Sequence, residues 1–220
     1  MFSKLRILQK KGYYPDTILD IGAHKGWWTN DMKQIYNCNY YLFEATDYPE
    51  LNQFNNTNNI KVFKAILNDK IEEVDWYQIN GTGDSFFKEE SHHYKNCEPI
   101  KKTTIDLDTH ILQNNILQEA KNILIKIDCQ GAEIPILKGA SSILNRTDFI
   151  ILEIPLFGQY NLNVPNFLEH IQFMDSIGFI LYDILEEHYV NDFNMQIDVL
   201  FINKNHQFNT LVNELRNYNI

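Results

Sequence analysis

The stretch that decides the fold is residues 17–26, Thr-Ile-Leu-Asp-Ile-Gly-Ala-His-Lys-Gly. Its first five residues are β-branched or apolar apart from one Asp and stop at Gly22, which predicts a buried strand. Large apolar residues at near-helical spacing from Gly26 to Tyr36 predict a helix. Glycine lets the backbone of the turn between them approach a ligand closely, and the free N–H groups at a helix start can hold an anion. The stretch therefore predicts a strand, a ligand-binding turn and a helix.

The same alternation continues along the chain. Residues 40–44 and 60–66 predict two more strands on either side of a short helix over 47–54, a pattern typical of a parallel sheet with right-handed crossovers. Residues 123–128 and 149–153 predict buried strands that each end on an acid. The other predicted strands are 72–79, 102–105, 179–184 and 197–202, and the other predicted helices are 106–118, 132–145 and 164–177. Strands 72–79 and 102–105 belong to a segment where the pattern changes, and the others with their interleaved helices predict an α/β fold of about seven strands.

The length and the loop pattern predict one domain. A chain of 220 residues and 26.0 kDa can bury one sizeable core. We predict a single domain over 1–220 with an inserted strand-loop segment at about 71–105. The polar loop 80–99 inside this segment is long for a compact domain, and loops of that kind usually bind something.

Charge and cysteine content limit which classes of partner and which cellular compartment we expect. The formal net charge is -10, from 19 Lys and Arg against 29 Asp and Glu, and such a surface repels phosphate backbones and anionic lipid. We therefore expect a small-molecule partner and no nucleic acid, and no apolar run is long enough to predict a membrane span. Cys38, Cys97 and Cys129 form no CxxC pair, which favours a reducing, cytoplasmic compartment. An uncovered edge strand near the inserted segment would allow an oligomer.

Four acids end predicted strands, namely Asp20, Glu44, Asp128 and Glu153. In an open parallel sheet, ligands bind beyond the carboxyl ends of the strands, where the strand order reverses. Any one acid could be a solvated turn carboxylate or a helix cap, but four at one edge predict a site. Glu44 follows Gly22 by 22 residues and can accept hydrogen bonds from a ribose diol, so the predicted ligand contains a nucleoside. The glycine spacing departs from Gly-x-Gly-x-x-Gly, which disfavours NAD and FAD without excluding them.

Four ordered motifs identify a family resemblance. They are Leu-Asp-Ile-Gly-Ala-His-Lys-Gly (19–26), Phe-Glu-Ala (43–45), Ile-Lys-Ile-Asp-Cys-Gln-Gly-Ala-Glu (125–133) continued by Ile-Leu-Lys-Gly-Ala (136–140), and Leu-Glu-Ile-Pro (152–155). Together they resemble the FkbM family of S-adenosylmethionine-dependent methyltransferases over about 14–201. The resemblance implies the class I methyltransferase fold, a Rossmann-like, seven-stranded, mostly parallel sheet with helices on both faces and one antiparallel strand near the end. It also implies O-methylation of a hydroxyl on a sugar, glycan or other small natural product. One departure is Gln130, where many members carry Glu.

The resemblance assigns cofactor contacts to individual residues. Asp20, Gly22, Ala23 and Gly26 would surround the methionine portion of S-adenosylmethionine, and Glu44 would hold the ribose. Ala65 and Ile66 would lie near the adenine. The remaining expected contacts are His24 (through its backbone), Ser85 and Asp128.

Methyl transfer requires an acceptor oxygen held about 3 Å from the methyl carbon, and a nearby base helps by accepting the hydroxyl proton. Asp128 is the first candidate for that base, followed by Glu153 and then by His92 or His93, for which simple exposure is the competing explanation. An alternative, less favoured, is that Asp128 and Glu153 hold a Mg²⁺ ion that polarises the hydroxyl.

Three functions remain open at this stage. The leading hypothesis is a methyltransferase acting on a small-molecule or glycan hydroxyl. An NAD-linked oxidoreductase on a similar sheet would instead bind nicotinamide cofactor and not S-adenosylhomocysteine. A catalytically silent nucleoside-binding protein would bind cofactor without turnover.

Overall fold

Seven strands form one mostly parallel sheet in a computed structural model, which describes residues 1–156 and 161–209. The first half of the chain contains α1 (Phe2–Lys10), β1 (Thr17–Ile21), α2 (Trp27–Met32), β2 (Asn39–Glu44), a 3-10 helix (Pro49–Phe54), β3 (Ile60–Lys64), β4 (Leu67–Asn68), β5 (Glu73–Trp76), β6 (Ile100–Thr103), β7 (Ile105–Asp106) and α3 (Leu107–Asn114). The second half contains β8 (Ile123–Ile127), α4 (Glu133–Lys138), α5 (Ser141–Leu144), β9 (Thr147–Pro155), α6 (Phe167–Ser176), β10 (Phe179–Val190) and β11 (Phe193–Asn203). Two small two-stranded sheets, β4–β7 and β5–β6, lie outside the main sheet.

The strand order in the main sheet is β10-β11-β9-β8-β1-β2-β3. Strand β1 pairs in parallel with both β2 and β8, and β11 is antiparallel to both of its neighbours, β9 and β10. This confirms the predicted seven-stranded, mostly parallel sheet with one antiparallel strand near the end. The order reverses at β1, so the ligand crevice of such a sheet is expected beyond the carboxyl ends of β1 and β8.

Helices cover both faces of the sheet, as predicted. One apolar core joins the sheet to α3, α4 and α6, and a second joins it to α1, α2 and the 3-10 helix. Strand β8 lies between the two cores and is buried along its whole length, which explains its continuous apolar run. Within the described ranges 1–156 and 161–209, no helix combines the length and the apolar content that a membrane span requires.

Capping residues explain where the structure differs from the predicted helix ends. Helix α6 begins at Phe167 and not near 164, because the Asn166 side chain accepts from the Glu169 N–H at 3.0 Å and the Glu169 carboxylate accepts from the Asn166 N–H at 2.7 Å. Helix α3 ends at Asn114, because Asn115 adopts the left-handed conformation with φ 50. The predicted helix over 132–145 is divided into α4 and α5.

The hairpin of β10 and β11 is longer than the two predicted strands. Its two turn residues, Asn191 and Asp192, have φ of 48 and 67, and positive φ at both central residues is the mark of a type I′ turn. This turn matches the twist of paired strands, so pairing continues up to Val190 and Phe193. The start of β11 is thereby brought to the same edge of the sheet as the end of β9.

A buried lysine joins β1 to β8 near this edge. The Lys126 Nζ lies 3.4 Å from Asp20 Oδ1 and 3.3 Å from Asp128 Oδ2, and the Lys126 and Asp20 side chains are 7% and 0% exposed. Burial by itself would lower the pKa of Lys126, but the charges of Asp128 and Asp20 outweigh it and raise that pKa above its usual range. The Thr29 hydroxyl donates to Asp20 Oδ2 at 2.6 Å, which ties α2 to the same group.

Replacing this lysine should destabilise the fold strongly. The Lys126→Met variant keeps most of the apolar stem but leaves Asp20 as a buried carboxylate without its cation, so we expect the free energy of unfolding to fall by about 3–5 kcal/mol. Urea denaturation measures the loss. The matched control is Lys101→Met, because the exposed Lys101 pairs with Asp75 at 2.9 Å in the two-stranded β5–β6 sheet. That variant should lose less than about 1 kcal/mol, and equal losses in the two variants would contradict the role given to Lys126.

Candidate active site

A cavity of about 640 Å³ opens at the carboxyl ends of the parallel strands. Gly22 follows β1, Glu44 ends β2, Asp128 follows β8 and Glu153 lies near the end of β9, and all four line the cavity. Three of the four acids predicted to meet at one edge therefore do so. The fourth, Asp20, is fully buried beneath the cavity.

Glu44 forms one end of the cavity. Its Oε2 accepts from the His24 N–H at 2.7 Å and its Oε1 from the Thr46 N–H at 2.8 Å, so the carboxylate holds the turn after β1 against the end of β2. Burial raises the pKa of Glu44, and the backbone N–H donors oppose that rise. Ala65 and Ile66 continue the cavity wall beside it, and the Ala65 N–H donates to the Glu44 carbonyl at 3.0 Å.

Close packing around the turn after β1 requires glycine at two positions. Both Gly22 and Gly26 have φ +77, which favours glycine. A Cβ on Gly22 would lie 2.0 Å from the backbone oxygen of Asp128, and one on Gly26 would lie 2.4 Å from the Phe54 ring. Gly22, with Ala23 and His24, also lines the cavity, whereas Gly26 does not. The cofactor contact expected of Gly26 stays a prediction, and what the structure shows at this position is that the Phe54 ring leaves no room for a side chain.

Gln130 connects the two acids at the other end of the cavity. Its Nε2 donates to Asp128 Oδ1 at 3.2 Å and to Glu153 Oε2 at 2.9 Å, and Gln196 Nε2 donates to the same Glu153 oxygen at 3.1 Å. Burial, followed by the charges of Asp128 and Asp198, raises the pKa of Glu153 well above its ordinary value. The residue that departs from the family pattern is thus the hydrogen-bond donor between the acids.

This arrangement gives the magnesium alternative no support. Between Asp128 and Glu153, the amide nitrogen of Gln130 stands where a cation would have to bind both carboxylates. In the part of the chain that the structure describes, no group of three or more His, Cys, Asp or Glu side chains is arranged to hold a metal ion.

A histidine–aspartate pair that the sequence reasoning missed also lines the cavity. His188 Nε2 lies 2.8 Å from Asp198 Oδ2, across the β10–β11 hairpin. Asp198 is directly opposite Glu153 in the β9–β11 register, and Gln196 is opposite His188 in the β10–β11 register. The signal that could have found them is the Asn191-Asp192 turn, since it predicts the hairpin that carries both residues to this edge.

Four other predicted site residues lie outside the cavity lining. Asp20 is bound by Thr29 and Lys126. Ser85 is 1% exposed, donates to the Gln130 carbonyl at 3.2 Å and accepts from the Phe87 N–H at 3.0 Å, so it fastens the loop between β5 and β6 to the turn after β8. His92 and His93 are exposed, with their ring centres 3.8 Å apart. The structure does not bring this histidine pair to the cavity, so neither is retained as the proton acceptor.

The cavity is strongly acidic. Among the described residues, its only Lys or Arg is Lys126. The carboxyl side chains in the lining are those of Asp31, Glu44, Asp84, Glu89, Asp128, Glu153, Glu186 and Asp198. Aromatic rings add apolar wall, from Trp27, Trp28, Tyr48, Trp76 and Phe86. A cation or a neutral polar molecule therefore fits the cavity better than an anion.

Comparison with solved structures shows a shared fold. The Burkholderia thailandensis 1,6-didemethyltoxoflavin-N1-methyltransferase, solved with 1,6-didemethyltoxoflavin and S-adenosylhomocysteine, matches with a TM-score of 0.53 at 9% identity, covering 93% of this chain and 78% of that one. The magnesium protoporphyrin IX methyltransferase of Synechocystis PCC 6803, solved with bound SAM, matches with a TM-score of 0.51 at 8% identity, covering 92% of this chain and 76% of that one. A comparison with curated protein sequences finds no match.

The sequence itself matches a family model over most of its length. The model is that of the methyltransferase FkbM domain, and the match covers residues 20–181. That range includes the turn after β1, the end of β2, the Asp128–Glu133 segment and the end of β9, each of which contributes residues to the cavity lining. The chain therefore belongs to the FkbM methyltransferase domain family.

Proposed function

We propose that this protein is an S-adenosylmethionine-dependent O-methyltransferase that acts on a hydroxyl of a sugar, a glycan or another small natural product. The observation that carries the proposal is that one continuous cavity contains Glu44 at the end of β2 together with the Asp128, Gln130 and Glu153 cluster beyond β8 and β9. The first group suits a nucleoside and the second suits an acceptor hydroxyl.

The residues present fit S-adenosylmethionine. Each Glu44 oxygen accepts one backbone hydrogen bond and keeps a further acceptor position for a ribose hydroxyl. Ala65 and Ile66 offer an apolar wall to the adenine, and the Gly22–His24 backbone is available to the methionine portion. When bound, S-adenosylmethionine supplies a methyl group on a cationic sulfonium, whose sulfur keeps the electron pair of the broken carbon–sulfur bond.

The charge of the cavity argues against the nicotinamide alternative. NAD carries a pyrophosphate, and the carboxyl groups of the lining would repel it. Lys126 cannot compensate, because its ammonium is already paired with Asp20 and Asp128. The same acidic lining suits a sulfonium and a neutral acceptor.

The acceptor end suits a hydroxyl compound. Gln130 and Gln196 are amide donors and acceptors, Asp128 and Glu153 provide carboxyl oxygens, and Trp28 adds a ring face. Sugars and other polyols need such a mixture, because every hydroxyl both donates and accepts a hydrogen bond. Phosphorylated and carboxylated acceptors are disfavoured by the negative charge of the lining.

Thermal stability measures cofactor preference directly. S-adenosylhomocysteine at 100 times its Kd should stabilise the protein by about 2.7 kcal/mol, which raises Tm by roughly 5–10 °C for a chain of this size. NAD at the same concentration should leave Tm unchanged. Stabilisation by NAD, with none by S-adenosylhomocysteine, would favour the oxidoreductase instead.

The Glu44→Ala variant tests where the ribose binds. Loss of hydrogen bonds to a charged acceptor costs about 1.5–3 kcal/mol, so calorimetric titration should show S-adenosylhomocysteine affinity weakened by roughly 10- to 100-fold. The control is Glu73→Ala, because Glu73 is an exposed carboxylate on β5. Equal affinity in the two variants would show that Glu44 does not bind the ribose.

Transfer of a labelled methyl group tests the reaction itself. The protein is incubated with methyl-labelled S-adenosylmethionine and a panel of neutral sugars, amino sugars, sugar phosphates and polyketide alcohols. We expect label in a base-stable ether of a neutral or cationic hydroxyl compound. Label in a base-labile ester or on nitrogen would contradict O-methylation of a hydroxyl, and cofactor binding without any transfer would favour the catalytically silent protein.

A further inference from the structure

His188 and Asp198 form an oriented pair at the acceptor end of the cavity. His188 Nε2 and Asp198 Oδ2 are 2.8 Å apart, and the two side chains are 38% and 8% exposed. Their strands are held by the continuous pairing of the β10–β11 hairpin. Both residues line the cavity together with Asp128 and Glu153. A carboxylate thus fixes an imidazole at the edge where an acceptor would bind.

The hydrogen bond determines which ring nitrogen is available. An ionised carboxylate only accepts hydrogen bonds, so in the neutral imidazole the proton lies on Nε2 and the lone pair lies on Nδ1. Among residues 1–156 and 161–209, Nδ1 has no hydrogen-bond partner. In this tautomer the basic nitrogen of the ring is Nδ1, the one that Asp198 does not contact.

The other candidate bases are already engaged. Asp128 has one oxygen 3.3 Å from the Lys126 ammonium, and its other oxygen accepts from Gln130. Glu153 accepts from both Gln130 and Gln196 on one oxygen and faces Asp198 across the strand pair. Because of these contacts, the two carboxyl groups are suited to hold the acceptor in place and less suited to accept its proton.

Resting on the function proposed above, we propose that His188 Nδ1 accepts the proton of the acceptor hydroxyl and that Asp198 is the residue that positions its ring. As the acceptor oxygen gains its methyl group, the O–H bond breaks, its electron pair stays on the oxygen and its proton passes to Nδ1. The imidazolium is stabilised by the Asp198 carboxylate and returns its proton to water from the exposed side of the ring. No oxidant or second cofactor is required.

The charges around the ring set the direction of its pH dependence. The negative charges of Asp198 on β11, Glu186 on β10 and Asp128 after β8 act on the His188 ring. The hydrogen bond that His188 donates to Asp198, opposed by burial and supported by the other two carboxylates, raises the pKa of His188 above its ordinary value. The neutral ring is the base, so turnover should fall as the pH drops through this pKa. Replacing Asp198 with Asn should move the fall to lower pH.

Nuclear magnetic resonance of the imidazole nitrogens tests the geometry in the full chain with S-adenosylhomocysteine added. We expect the Nε2–H tautomer, a His188 pKa above the ordinary value of a histidine and a lower pKa in Asp198→Asn. The matched control is Glu187→Gln, because Glu187 is the exposed neighbouring carboxylate on β10 and does not line the cavity; it should change neither result. An Nδ1–H tautomer, or the same His188 pKa in Asp198→Asn as in the wild type, would overturn the proposal.

Kinetics with the acceptor found in the labelled-methyl panel tests the role. His188→Gln should lower kcat by about 10²- to 10⁴-fold and leave the Kd of S-adenosylhomocysteine within about twofold, and Asp198→Asn should lower kcat less. If the wild type transfers methyl and His188→Gln keeps full kcat, this inference fails alone. If the wild type transfers methyl to nothing, the proposed function fails, and the tautomer and pKa of His188 still decide whether the pair is oriented as a base.

Discussion

The buried ammonium of Lys126, placed between Asp20 and Asp128, is the contact on which the candidate site depends. An unpaired charge at this depth would cost several kcal/mol, so the three groups hold one another in place. Lys126 also donates to the Gly22 carbonyl at 3.4 Å. The turn after β1 and the segment after β8 are thereby fixed relative to each other, as a site that must place two ligands side by side requires.

Hydrogen bonds extend this fixed unit to both ends of the cavity. At one end, Glu44 holds the backbone of the turn after β1. At the other end, Gln130 links Asp128 to Glu153, and Gln196 links Glu153 to the start of β11. The uncharged amide of Gln130 donates to both carboxyl groups and so joins them. The resulting acidic surface is consistent with a cationic methyl donor and a neutral acceptor.

The sequence predicts those parts of the fold and site that local patterns determine. Apolar runs and turn residues identify β1, β2, β8 and β9, and the acids at the ends of three of these strands line the cavity because parallel strands end at one edge. Asp20 has the same sequence signal but lies beneath the cavity, because its side chain is held by Lys126 and Thr29. A single sequence does not show whether a charged side chain near the end of a strand lines the cavity or is buried in the protein interior.

Other features depend on contacts between distant parts of the chain. Asp198 reaches the cavity because β11 is antiparallel and begins where β9 ends. His188 reaches it because β10, antiparallel to β11, ends at that same edge of the sheet. Ser85 is predicted as a cofactor contact from its place in the sequence, and in the structure its hydroxyl donates to the Gln130 carbonyl. This bond connects the loop between β5 and β6 to the turn after β8. His92 and His93 lie in the same segment and remain outside the cavity lining.

A crystal structure of the protein with S-adenosylhomocysteine is the most direct test of the central claim, which is that this cavity holds the methyl donor between Glu44 and the Asp128–Glu153 cluster. The account predicts ribose hydroxyls within hydrogen-bonding distance of Glu44 and the ligand sulfur directed towards Gln130 and His188. A ligand bound elsewhere, or bound here with its ribose away from Glu44, would contradict it.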